Sequence, residues 1–123
     1  MKDQIISFET AKLAKKKGFN EPCLECYVEK GTLYNNNREG IEFTNKQLLI
    51  TNCSAPTQSL LQRWLREIHN IDIIIWKNGI DGSYRVEDIL LNNKEITNLE
   101  FEDSFDNYEN ALEEGLYEAL KLI

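Results

Sequence analysis

The sequence predicts an α+β fold, in which a single domain over residues 1–123 packs three helices on a mainly antiparallel sheet of four to five strands. Three observations favour this class. Residues 54–75 have the pattern of a capped amphipathic helix followed by a strand, and a second helix pattern covers 106–123. Turn dipeptides separate shorter runs of alternating polarity. The expected order of elements is αββ-α-ββ-α.

The first helix is predicted over residues 8–17. Ser7 is a suitable N-cap, and Gly18 can end the helix in a backbone conformation that glycine adopts readily. The lysine run 15–17 falls in the last turn, where the helix dipole favours positive charge. These lysines therefore need no ligand to explain them.

Residues 23–29 alternate between apolar and polar side chains, which predicts a strand with one solvent-facing side. The dipeptide Lys30-Gly31 is expected to turn the chain, so that residues 32–35 pair back as a second strand. A polar loop then leads to two further apolar segments, 41–43 and 48–51.

The central helix is predicted to have Ser54 as its N-cap and Pro56 in its first turn, where a missing N–H costs nothing. Its apolar stripe consists of Leu60, Leu61, Trp64, Leu65 and Ile68. Asn70 suits a left-handed stop. The isoleucine-rich run over 71–75 is too densely apolar for a strand with one wet face, so it predicts a central strand.

The turn dipeptides Asn78-Gly79 and Asp81-Gly82 predict a hairpin that joins this strand to residues 83–91. A polar loop over 92–105 follows. We expect its apolar residues to tether it to the core, and these are Ile96, Leu99, Phe101 and Phe105.

The last helix is predicted to begin at Asp106, where Glu109 completes a capping-box spacing. Its buried stripe consists of Leu112, Leu116, Leu120 and Ile123. Gly115 costs about 1 kcal/mol relative to alanine inside a helix. Its presence indicates close packing against another element.

Composition favours a cytoplasmic protein without a metal or a cofactor. The chain has no signal-peptide pattern and no run approaching the roughly 20 apolar residues of a membrane span. Its 3 cysteines cannot all pair within a monomer, so we expect reduced thiols. With a single histidine, His69, the chain lacks the converging ligands of a zinc site.

Charge is unevenly distributed along the chain. Residues 1–80 carry 11 Lys and Arg against 9 Asp and Glu, whereas residues 81–123 carry 3 against 12. General nucleic-acid binding is disfavoured because it needs clustered basic residues. The acidic part is either a solvated face or a charge mimic of nucleic acid, and its loop carboxylates are Glu100, Glu102, Asp103 and Asp106.

No pattern indicates an enzyme. His69 ends its helix, where the dipole favours an imidazolium, and no nucleophile lies in an elbow or cysteine-protease context. No glycine-rich phosphate loop occurs, which excludes the common nucleotide-binding folds.

The start of the central helix is the strongest candidate for an anion site. The side chains of Ser54, Thr57 and Gln58, with free N–H groups, could hold a phosphate or carboxylate. Arg63 and Arg66 are neighbours on the exposed helix surface and could add bidentate bonds. Alternatively, the hydroxyls only cap the helix, and the arginines form weak surface pairs.

Aromatic residues offer a second indication of a ligand. Tyr27 and Tyr84 could stack on a planar base. Most aromatic residues at strand spacing are core residues or cross-strand pairs instead. Both interpretations of these two tyrosines stay open at the level of the sequence.

The segments SAPTQSLLQRWLREIHNIDI and YENALEEGLYEALKLI resemble small uncharacterised proteins encoded by phages and mobile elements of gut bacteria. The resemblance covers roughly half of the chain and carries over no activity or binding residues. It implies a context, since small phage proteins are often non-enzymatic accessories that neutralise host components. The expected location is then the cytoplasm of the host cell.

Two functions are therefore expected. The first is a candidate anti-defence protein that sequesters a small anionic, nucleotide-like ligand. The alternative is an acidic interaction module, or nucleic-acid mimic, that inhibits a host protein. A homodimer is also expected, because a small sheet often leaves an open edge to cover.

Overall fold

The computed structural model describes residues 3–35, 40–96, 101 and 103–123. This part of the chain contains three helices and two three-stranded antiparallel sheets, which confirms the α+β class. The strands form two sheets rather than the predicted one. Contacts divide the chain into an N-terminal unit, Met1–Thr57, and a C-terminal unit, Gln58–Ile123. The single domain stays a prediction.

The N-terminal unit begins with helix α1, Phe8–Lys16. As predicted, Ser7 caps it, and its hydroxyl oxygen accepts a hydrogen bond from the Thr10 N–H at 3.2 Å. Gly18 follows with a φ of 97°, a conformation that glycine tolerates. The buried face of α1 consists of Thr10, Ala11 and Ala14.

The first sheet has the strand order β2-β1-β3. Its strands are β1 (Glu25–Val28), β2 (Thr32–Asn35) and β3 (Cys53–Ser54). The predicted turn between β1 and β2 is confirmed, because Lys30 and Gly31 have φ values of 65° and 86°. Residues 36–39 of the predicted polar loop lie outside the described residues.

The prediction for Ser54 is wrong, because Ser54 lies in β3 opposite Cys26 and not at a helix N-cap. Sheet and loop partners occupy the local backbone: the Ser54 N–H donates to Asn45 Oδ1, and the Ala55 N–H donates to the Glu25 carbonyl. Segments 41–43 and 48–51 form no named strand, although Phe43 pairs with Cys23 in an isolated bridge.

The C-terminal unit begins with helix α2, Gln58–His69. Most of its predicted apolar stripe is buried or half-buried, but Ile68 is 62% exposed and does not belong to the core. Asn70 ends the helix with a φ of 55°, as predicted.

The second sheet has the order β4-β5-β6. Its strands are β4 (Ile71–Lys77), β5 (Tyr84–Leu91) and β6 (Lys94–Glu95), the last of which was not predicted. The hairpin of β4 and β5 is confirmed. The prediction of a central β4 is wrong, because among the described strands β4 pairs only with β5. It buries Ile71 and Ile73 on one face, whereas Ile74 is 41% exposed.

Helix α3, Tyr108–Leu120, closes the unit. Asn107, rather than Asp106, caps it and accepts a hydrogen bond from the Asn110 N–H at 2.8 Å. The predicted close packing at Gly115 is confirmed, since a Cβ there would lie 2.6 Å from Ile73 Cγ2. In the connection before α3, Phe105 pairs with Tyr84 in an isolated bridge, and Leu99 lies outside the described residues. No helix in the described parts is long and apolar enough to cross a bilayer.

The three cysteines are free and buried, in agreement with the predicted reduced thiols. Burial raises the pKa of Cys23 to about 11, against a smaller lowering effect of the neighbouring Ser54 hydroxyl. Burial likewise raises the pKa of Cys53 to about 11, and Lys15 opposes it weakly. Both thiols are therefore neutral at physiological pH.

We expect the free energy of unfolding to fall as the pH rises from about 9 to about 11, because the unfolded chain then loses thiol protons that the folded chain keeps. This stabilisation is fully present below about pH 9. Urea unfolding at a series of pH values measures it. A Cys23→Ala, Cys53→Ala variant should lose most of this pH dependence, and an unchanged profile in that variant would contradict the assignment to thiols.

Candidate functional site

A cavity of about 660 Å³ opens on the N-terminal unit beside α1. Its lining consists of Lys12, Lys15, Lys16, Glu29, Lys30, Ile50, Thr51, Asn52 and Cys53. Four ammonium groups therefore face one carboxylate. Such a cavity attracts anions, and its volume falls in the usual range for small-molecule sites.

Helical periodicity brings three of these lysines together. Lys12, Lys15 and Lys16 are three and four residues apart on α1, so they lie on one face of the helix. Lys15 and Lys16 lie in the last turn of α1, where the helix dipole also favours cations.

The turn between β1 and β2 supplies the fourth lysine. Lys30 has a φ of 65°, which few residues with a side chain adopt, and Gly31 follows at 86°. A Cβ on Gly31 would lie 2.8 Å from Cδ2 of the Phe8 ring. Glycine is therefore required for the turn to sit against the start of α1, and this contact places Lys30 at the cavity.

Lys15 builds one wall of the cavity. Its ammonium donates hydrogen bonds to the carbonyl oxygens of Leu49 at 2.9 Å and Asn52 at 2.5 Å. These bonds tie the segment 49–52 to α1. An ammonium has three donors, so one remains after these two bonds.

The other lysines are more exposed and more available. Lys12 pairs with Glu9 at 3.1 Å and lies 4.6 Å from the centre of the Phe8 ring, but this surface pair is weak. Lys16 and Lys30 are exposed, and neither forms an ion pair with a described residue. These two ammonium groups are the most available charges for an incoming anion.

The remaining lining is aliphatic and polar. Ile50 is 94% exposed, whereas Cys53 is buried. No aromatic side chain belongs to the described lining. The cavity thus offers charge and an apolar wall, and it offers no stacking platform for a base.

The residues predicted for the anion site at the start of α2 do not line this cavity. Ser54 is 1% exposed. Gln58 is 2% exposed, and its amide donates to the Glu109 carbonyl at 2.8 Å and to Glu113 Oε1 at 3.1 Å. Thr57 is half-buried and pairs with Ile5 in an isolated bridge. The polar groups of Gln58 are therefore engaged within the protein.

Arg63 and Arg66 lie exposed on α2, as predicted, and no described ion pair involves them.

The Tyr27 hydroxyl donates a hydrogen bond to the Ile6 carbonyl at 2.6 Å, and the Tyr27 ring packs 5.3 Å from the Phe8 ring. That contact favours the structural interpretation of Tyr27.

Tyr84 is half-buried in the C-terminal unit. Its ring lies 5.3 Å below the Lys77 ammonium and makes an edge contact with Tyr108 at 6.2 Å. Like Tyr27, it has protein partners for its aromatic face.

The cavity lined by Lys12, Lys15, Lys16 and Lys30, hereafter the lysine cavity, was not predicted from the sequence. The spacing of Lys12, Lys15 and Lys16 was the available signal, but the helix dipole explained the run equally well. Only the fold brings Lys30 and the segment 50–53 to the same face.

The catalytic candidate His69 and the metal-site candidates have less structural support. The His69 ring makes an edge contact with Trp64 at 4.7 Å, which gives it a packing role. Within the described ranges, no cluster of three or more potential metal ligands occurs.

The acidic alternative is described only in part, because Glu100 and Glu102 lie outside the described residues. The C-terminal unit carries 14 Asp and Glu against 6 Lys and Arg. Burial, together with nearby Asp103 and Glu118, raises the pKa of Glu114. Carboxylates therefore gather near α3, and a role for them in binding a host protein stays a prediction.

Comparison of the chain with protein-family models, with curated proteins and with solved structures found no match.

Proposed function

We propose that this protein is a non-enzymatic binding protein that sequesters a small anionic, nucleotide-like ligand in the lysine cavity. The observation that supports the proposal is the gathering of four lysines and a single carboxylate around about 660 Å³. Clustered ammonium groups on a concave surface are typical of phosphate recognition, in which lysine acts as a point charge.

The chemistry of the lining favours binding over catalysis. Cys53 supplies the thiol in the lining, but burial raises its pKa to about 11. The thiolate, rather than the thiol, is the reactive form. A neutral thiol in the cavity lining can pack against a ligand without attacking it.

The resemblance to small phage and mobile-element proteins adds a context to the proposal. A protein that holds a signalling nucleotide in the host cytoplasm would lower its free concentration without any turnover. The proposal of an anti-defence role rests on this resemblance and on the charge of the cavity together.

Binding to a panel of nucleotides tests the proposal. A ligand at 100 times its dissociation constant should add about 2.7 kcal/mol to the free energy of unfolding. Replacing Lys16 and Lys30 together with glutamine should weaken binding about 100-fold, because each hydrogen bond to a charged group contributes about 1.5 kcal/mol. Isothermal titration calorimetry on the folded variant measures this change.

Lys17→Gln is the matched control, since it removes the same charge one residue along the chain and Lys17 does not line the cavity. This variant should bind like the wild type. Equal weakening by the control would mean that only overall charge matters. Loss of binding in an Arg63→Ala, Arg66→Ala variant, with full binding in the lysine variant, would move the site to α2.

A further inference from the structure

A second, smaller cavity of about 220 Å³ lies in the N-terminal unit and shares the lining residue Lys15 with the lysine cavity. Its lining consists of Lys15, Gly18, Phe19, Asn20, Asn45 and Lys46. Two of these six residues are lysines. Lys15 is thus common to two cavities of the same unit.

The walls of the smaller cavity are held by hydrogen bonds. Asn45 is 5% exposed, donates to the Phe19 carbonyl at 2.6 Å and accepts from the Ser54 N–H at 2.8 Å. Asn20 Oδ1 accepts from the Lys46 N–H at 2.9 Å. The cavity is therefore a formed feature of the fold, with its backbone and amide groups fixed.

Gly18 leaves this cavity open. Its φ is 97°, and a Cβ there would meet no atom within 4 Å. Lys46 is exposed, and no ion pair with a described residue involves it. An anionic group can therefore enter and meet the Lys46 ammonium.

Lys15 belongs to the lining of both cavities. Its bonds to the Leu49 and Asn52 carbonyls hold its ammonium in place and leave one donor. The larger cavity thus presents Lys16 and Lys30, the smaller one presents Lys46, and Lys15 is shared by both. An anion confined to one cavity meets Lys15 and the lysines of that cavity alone.

We propose that the ligand is an extended polyanion, a chain of phosphates or two separated phosphates, that occupies both cavities and passes Lys15. This inference rests on the proposed function and names the class of its ligand. Recognition runs through the phosphates, since the described lining of both cavities offers lysines and amides at the surface and no exposed aromatic ring.

A series of inorganic phosphates tests the inference without assuming a base. The probes are phosphate, pyrophosphate, tripolyphosphate and a longer linear polyphosphate, titrated by calorimetry at fixed ionic strength. Affinity should rise with chain length. Lys46→Gln should weaken the longer chains about tenfold, the scale of one charged contact, and leave pyrophosphate unchanged. Lys16→Gln should weaken every member that binds.

The outcomes separate the two proposals. If Lys46→Gln has no effect, or weakens short and long chains equally, the extended ligand is wrong while the lysine cavity stands. If Lys16→Gln and Lys30→Gln also leave every affinity unchanged, the proposed function fails as well. Lys17→Gln again controls for the loss of one positive charge.

Discussion

Replacing Gly115 with alanine is expected to lower the free energy of unfolding by about 2 kcal/mol, although alanine favours a helix over glycine by about 1 kcal/mol. The cause is the packing of α3 on the second sheet. A Cβ at this position would lie 2.6 Å from Ile73 Cγ2 and 3.5 Å from Val86 Cγ2. Gly115→Val should destabilise the protein further, and urea unfolding measures both variants.

The contact cannot relax easily. Cγ2 of Ile73 is bonded directly to Cβ, and β-branched side chains have few accessible χ1 rotamers. Ile73 is also 8% exposed, so neighbouring core atoms limit its movement. The methyl group and the helix must therefore separate, which disturbs a core that is close-packed.

A double-mutant cycle isolates this contact. In an Ile73→Ala background the γ2 methyl is absent, so Gly115→Ala should become neutral or stabilising by up to about 1 kcal/mol from helix propensity. The same destabilisation in both backgrounds would show that the clash with Ile73 is not the cause.

Local chemistry was predictable from the sequence where neighbouring residues decide the structure. Ser7 caps α1, Asn70 ends α2, and Lys30-Gly31 turns the first hairpin, because each depends on backbone geometry within a few residues. Ser54 was assigned wrongly for the opposite reason. Its backbone pairs with Cys26 across the sheet, a contact that residues 54–58 do not reveal.

The position of β4 depended on tertiary context in the same way. Its isoleucines predicted burial on both faces, yet Ile71 and Ile73 are buried whereas Ile74 is 41% exposed. On the other face, Trp76 is 40% exposed and lies under the Arg85 guanidinium at 4.4 Å. A run of apolar residues therefore did not establish a central strand.

The candidate site could be predicted from the sequence only in part. The three lysines on one face of α1 follow from helical spacing alone. Their partner Lys30 reaches the cavity because Gly31 packs against Phe8, and Lys15 fixes the segment 49–52 through two carbonyl groups. Neither contact leaves a sequence pattern, so an explanation by the helix dipole was sufficient until the fold was known.

Replacing Gln58 with glutamate is expected to lower the free energy of unfolding by about 3 kcal/mol at neutral pH, the scale of a buried charge without its partner. The Gln58 amide donates to the Glu109 carbonyl and to the Glu113 carboxylate, and the residue is 2% exposed. A carboxylate has no donor to offer, so it would face two acceptors, one of them charged.

The loss should depend on pH. Burial and the Glu113 carboxylate would raise the pKa of the introduced group in the folded state above its unfolded value. The folded variant then binds the proton more tightly, so the deficit relative to wild type shrinks as the pH falls towards about 4. Gln58→Met keeps the shape without the charge, and we expect it to cost about 2 kcal/mol at every pH. A Gln58→Glu deficit that stays constant between about pH 8 and about pH 4 would contradict this role for the amide.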